Sequence, residues 1–164
     1  QMCIRDSANA TELAAGFTDR DDFEFIELMN RGSQTINLSG VEFIDGVTFD
    51  FSTAEIRSLA PGTRVLIVKN LAAFEQRYGS KFSSQIAGEY SGNLSNDGEL
   101  ITLVDATGSN ILSFTYNDQS PWPEEPDGDS YTLVLINPTG QPIPEHGDPS
   151  SWRCLLYTSP SPRD

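Results

Sequence analysis

The stretch "VTFDFS" at positions 47–52 constrains the fold of this chain more than any other. Val47, Phe49 and Phe51 alternate strictly with Thr48 and Asp50. Successive side chains of a strand point to opposite faces, so the pattern buries one face and leaves the other in water. Similar short pieces recur along the chain, each bounded by turn-forming residues. "DDFEFIELMN" sets Phe23, Phe25 and Leu28 around Glu24 and Glu27, and "NRGS" (Asn30 to Ser33) follows as turn chemistry. "QTINLSGVEFIDG" carries Ile36, Leu38, Val41, Phe43 and Ile44 as two strand pieces around Ser39-Gly40. Asp45-Gly46 is a hairpin dipeptide.

After Pro61-Gly62 the chain turns continuously apolar from Val65 to Val68, which predicts a strand buried on both faces. A hairpin is predicted from Leu100 to Val104, returning from Ile111 to Tyr116 across the turn Asp105 to Asn110. Asn96-Asp97-Gly98 makes a tight turn before it, and "YTLVLINP" is the last clear strand. One stretch has helical spacing: Leu71, Phe74 and Tyr78, with Asn70 to cap the start and Gly79 to end it. It is expected to be a short surface connection. About seven to nine short strands with one short helix argue an antiparallel β-sandwich. A parallel α/β fold needs a helix after nearly every strand, and the sequence does not supply them.

The two ends read differently from this body. Cys154 to Ser159 can be encoded as TGT CTC TTA TAC ACA TCT. The reverse complement, read in one frame, encodes Met-Cys-Ile-Arg-Asp, the residues Met2 to Asp6. Such an inverted repeat resembles a transposon-end adapter of DNA sequencing libraries, translated at both ends of a short insert. Residues 1–7 and 154–164 are therefore expected to be adapter-derived. They are expected to hold no specific packed role and to form no bridge between Cys3 and Cys154. On this reading 8–20 is a linker or disordered lead-in, and 21–153 is one sandwich domain from a longer, metagenomic coding sequence. The lack of a leader then carries no information.

Charge narrows the partners. The chain holds 24 acidic and 10 basic side chains, a net charge of −14. Discounting Arg5, Arg163, Asp6 and Asp164 leaves that balance unchanged. A surface of this sign repels phosphate backbones and anionic membranes, so nucleic acid is not an expected partner. No apolar run approaches the length of a membrane span, and no direct membrane insertion is expected. Cys3 and Cys154 are the only cysteines. Without them the body has no disulfide framework, thiolate nucleophile or cysteine zinc site.

Candidate chemistry is sparse. His146 is the single histidine and sits in a Pro/Gly/Asp loop, where a solvated ring is expected. No G-x-S-x-G elbow or phosphate-cradling glycine motif is present. Glu124, Glu125, Asp127 and Asp129 cluster around Gly128, and hard oxygen ligands so spaced could hold Ca²⁺. The EF-hand order is absent, and a solvated turn explains the same residues. No catalytic residue and no cofactor are expected.

Taken in order, several segments resemble the lamin tail domain family. "FEFIELMNRGSQTINLSG" resembles its opening signature, with Glu27, Asn30 and Gly40. "LAPGTRVLIVKN" resembles the approach to its buried middle strand. "NLSNDGELITLVDATGSNILSFTY" resembles its most typical hairpin, with Asn96 and Gly98. "WPEEPDGDSYTLVLINP" resembles its Trp-Pro…Asp-Gly stretch through Trp122, Pro123, Asp127 and Gly128, and "DPSSWR" its closing element, Trp152 and Arg153.

The resemblance implies an all-β, immunoglobulin-like sandwich without catalysis. These residues would be structural, with Trp122 and Trp152 as anchors; Glu27 and Glu99 either pair with buried amides or with Arg153, or stand as exposed polar positions of a strand. It implies an interaction or scaffolding module of a larger, exported or cell-surface protein, such as a bacterial multidomain protein. The partners would be neighbouring domains and a protein or polysaccharide ligand met through loops or strand edges. Two further readings are a calcium- or carbohydrate-binding accessory domain of a secreted hydrolase, and the tail domain of a nuclear intermediate-filament protein.

Overall fold

The computed structural model describes residues 2–3, 8–123 and 131–156. Its strands, in chain order, are β1 Met2–Cys3, β2 Phe25–Met29, β3 Ile36–Asn37, β4 Glu42–Asp45, β5 Phe49–Asp50 and β6 Ser58–Leu59. They continue with β7 Arg64–Val68, β8 Ile86–Glu89, β9 Leu100–Val104, β10 Asn110–Thr115, β11 Tyr131–Leu135 and β12 Trp152–Leu156. They form a six-stranded sheet in the order β12-β11-β1-β2-β7-β8, a four-stranded sheet β10-β9-β4-β5 and a two-stranded ribbon β3-β6.

Ile26, Val65, Ile67 and Leu133 of the larger sheet meet Phe43, Phe49, Ile101, Leu103 and Phe114 of the smaller one in a single buried cluster. The two sheets therefore face each other as an immunoglobulin-like sandwich. Each such side chain contributes about 1.5–3 kcal/mol on leaving water.

The run from Val65 to Val68 is buried on both faces, as its sequence requires. Val65 and Ile67 enter the sandwich core. Leu66 and Val68 face the other way and pack with Phe25, Phe74, Phe82 and Ile86. The helix that covers this second cluster, α2, spans Leu71–Tyr78 and starts where the Asn70 side chain accepts from the Ala73 amide at 3.1 Å. It ends at Gly79, whose φ of 68° favours glycine. A surface connection was expected, but Phe74 is fully buried. Together with a 3₁₀ turn at Ser80–Gln85, α2 forms the crossover that joins β7 to β8, which pair in parallel. Among the described strands that pair is the exception to antiparallel pairing.

The hairpin of β9 and β10 lies where the sequence predicts it. Its turn is tied by Asp105, whose carboxylate accepts from the amides of Thr107 at 2.8 Å and Ser109 at 3.0 Å. At Gly40, φ is 79° and an added Cβ would lie 2.6 Å from the Ala106 Cβ, so this turn and the hairpin turn press against each other.

Three expectations are corrected near the ends. The lead-in is not featureless: α1 spans Ala10–Ala14, so a second α-helix accompanies α2. Its capping box is complete, with Asn9 accepting from the amides of Thr11 and Glu12 while Glu12 accepts from the Asn9 amide. Met2 is buried, and β1 fills the slot between β2 and β11, antiparallel to both. Cys154 is half-buried and stands opposite Leu133, with 154–156 extending the strand of Trp152 along β11. The physical reason is simple. Without these segments β11 would leave main-chain groups unpaired along its edges, and short apolar segments satisfy them whatever codons encoded them.

Candidate functional site

The residues singled out in the sequence lie where backbone must be fixed. Asn30 is 4% exposed and closes β2. Its Nδ2 donates to the carbonyls of Gln34 and Leu59, both at 2.8 Å, and its Oδ1 accepts from the Gly32 amide at 2.9 Å. One side chain thereby binds the β3-β6 ribbon to the larger sheet. Replacing Asn30 by Ala leaves those buried groups without partners. The expected loss is about 2 kcal/mol of unfolding free energy, read as a lower urea midpoint with unchanged slope. A midpoint equal to that of the parent would sink this assignment.

Gly98 holds φ at 93°, and an added Cβ would overlap Tyr116 and lie 2.6 Å from the Asn117 Cα. Asn96 is half-buried in the same turn. Trp152 is 5% exposed in the main core, Trp122 packs partly buried beside it, and their ring centroids are 6.3 Å apart. Pro123 is half-buried and Arg153 is exposed. Asp127, Gly128 and the calcium candidates Glu124, Glu125, Asp127 and Asp129 lie outside the described residues. Among the described residues no group of three or more His, Cys, Asp or Glu could hold a metal ion.

The carboxylates behave as pins. Glu99 accepts from the Ser95 amide at 2.7 Å and from the Tyr116 hydroxyl at 3.0 Å. Burial, reinforced by Glu99, pushes the Tyr116 phenol well above its ordinary range. Glu27 lies 3.3 Å from the Arg64 Nε and forms an ion pair with it. Burial raises Glu27, and Arg64 offsets only part of that.

Glu24 is the residue the sequence reading passed over. It is fully buried, and its Oε2 accepts from the Tyr90 hydroxyl and the Leu94 amide, both at 2.9 Å. Burial pushes its carboxyl up to about 8, against the lowering effect of those two bonds. Glu24 and Glu99 together fasten the segment between β8 and β9 from two sides.

Glu12 makes a third pin. It pairs bidentately with Arg77 of α2 at 2.7 Å, and the Arg77 guanidinium lies 3.6 Å from the centre of the Phe23 ring. Burial alone would raise the Glu12 carboxyl, but Arg77 and the Asn9 amide hold it below its usual range.

His146 is not the solvated ring expected. Its centroid is 5.5 Å from Phe114 and 5.9 Å from Trp152, and its carbonyl accepts from the Trp152 Nε1 at 2.8 Å. Burial lowers its pKa, which favours neutral imidazole.

A groove of about 650 Å³ opens between β6, the turn into β7 and the end of the 3₁₀ turn at Ser80–Gln85. Ile56, Leu59 and Phe82 contribute apolar lining, and Thr35, Ser58 and Gln85 contribute polar lining. Among the described residues that line it, Arg64 is the single charged one. Three separate segments build it, so no local motif could have announced it.

Among known families, the model described as Lamin Tail Domain matches residues 5–118. That segment holds the opening signature, the buried middle strand and the β9-β10 hairpin, while Trp122 and Trp152 lie beyond it. No curated protein matches the chain.

Proposed function

The chain belongs to the lamin tail domain family, and from that premise we propose that it is a non-catalytic interaction and scaffolding module of a larger exported or cell-surface protein. One observation carries the reading. Buried polar side chains of the described residues are engaged in holding the fold: Glu24, Glu99 and Asn30 bind main-chain amides or carbonyls, Glu27 pairs with Arg64, and His146 packs against Trp152. Its ligand is a protein or polysaccharide surface met through loops or strand edges, and its acidic charge disfavours nucleic acid.

The test joins two assays. The chain is fused to a reporter enzyme and incubated with bacterial cells and with insoluble polysaccharides. The unfused chain is screened for hydrolysis of ester, glycoside and peptide substrates. Retention of the reporter without turnover is the expected result. Turnover that a single polar substitution abolishes, or no retention on any surface, overturns the reading.

A further inference from the structure

We infer that the groove beside β6 seats the C-terminal end of an extended peptide, which adds a third strand to the β3-β6 ribbon and places its carboxylate at Arg64. This inference rests on the reading of the chain as an interaction module and names a partner class for it.

Three observations converge. The first is an available edge. The Leu38 amide donates to the Arg57 carbonyl at 2.9 Å, and Ser58 stands opposite Asn37 in the same antiparallel register. Main-chain groups alternate sides along a strand, so the N–H and C=O of Ser58 face away from β3. Ser58 lines the groove on that side. The neighbouring edge of β8 is already used, because the Glu55 amide donates to the Ala87 carbonyl at 3.1 Å. The ribbon itself is anchored through the bond from Asn30 to the Leu59 carbonyl.

The second is charge. In a chain of net −14, no carboxylate lines this groove among the described residues. Arg64 pairs with Glu27 through Nε while its side chain stays 33% exposed, which leaves part of its donor fork open to a ligand. A partner with many acidic groups would be repelled by the rest of the surface, whereas a terminal carboxylate brings a single negative charge. The third is shape. The volume suits a ligand site, and a lining of both apolar and polar side chains suits the alternate side chains of an added strand.

The test pans the chain with random peptides of about seven residues displayed with free C-termini. Selected sequences are synthesised as free acid and as amide, and binding is read by fluorescence anisotropy. Amidation is expected to weaken binding about tenfold or more, the scale of a lost charge-assisted contact. Arg64→Gln should weaken the free acid similarly and erase most of the difference from the amide. Ser58→Pro removes the outward N–H, which edge strands tolerate, and should abolish binding while circular dichroism and thermal unfolding stay those of the parent.

Equal binding of acid and amide overturns the inference, and that comparison needs no protein variant. So does a folded Ser58→Pro chain that binds like the parent, or no enrichment of free-carboxylate peptides. Failure here with the reporter still retained on surfaces leaves the proposed function standing. Loss of retention strikes that reading separately.

Discussion

Raising the pH from about 5 to about 9 is expected to destabilise the parent chain by about 4 kcal/mol, and Glu24→Gln to remove most of that slope. The cause is the buried Glu24 carboxyl, held near 8 in the fold against an ordinary 4.5. Below about pH 4.5 the group is protonated whether the chain is folded or not, and its neutral form suits the buried site. Between those values the folded chain keeps a proton that the unfolded chain has released, so stability falls as pH rises. The loss is complete above the folded pKa.

Gln has the shape of the protonated acid, and its carbonyl can still accept from Tyr90 and Leu94. The variant should therefore match the parent near pH 5 and exceed it near pH 9. Glu27 is raised too and adds a smaller slope of the same sign. Urea unfolding across this range, fitted at each pH, measures the effect. Parallel pH profiles for parent and variant would refute it.

Trp152→Ala should cost about 3–5 kcal/mol, the range for removing a large aromatic side chain from a packed core. Trp152 is 5% exposed and stacks on Phe114 with centroids 5.5 Å apart. It also starts β12 opposite Leu135, and its indole holds the loop of His146. Trp152→Phe separates these roles. It keeps most of the ring area and loses the bond from Nε1, so about 1 kcal/mol of the loss should remain. The denaturant midpoint and slope of both variants decide the matter. A loss below about 1 kcal/mol for the Ala variant would show that the ring is not an anchor.

How legible these features were depended on how many segments build each one. Val65 to Val68 could be read alone, because an uninterrupted apolar run bounded by Pro61-Gly62 has few other meanings. The β9-β10 hairpin was equally local, and Asp105 and Gly108 mark its turn. Asn30 and Gly98 were recognised as turn residues, although the reach of Asn30 to Leu59 was not visible.

Glu24 failed for a definite reason. Alternation reads polar residues as wet, and that inference breaks just before β2, where Glu24 is covered by Tyr90 and Leu94 from the distant segment between β8 and β9. The helix α1 carried a usable signal in Asn9 and Glu12 at capping-box spacing. It was lost because five helical residues give too little periodicity. His146 could not be placed from a loop that contains no regular element, since its neighbours Phe114 and Trp152 come from different strands.

The position of β1 bears on how this sandwich would respond to a mechanical load. β1 and β12 flank β11, and each runs antiparallel to it, so they run parallel to each other. Tension applied at the start of β1 and the end of β12 would pull these strands in opposite senses along the sheet. The hydrogen bonds on both sides of β11 would then be strained together in shear, instead of parting one after another as a zipper does. The same sandwich pulled through β12 alone would peel from the edge of its sheet.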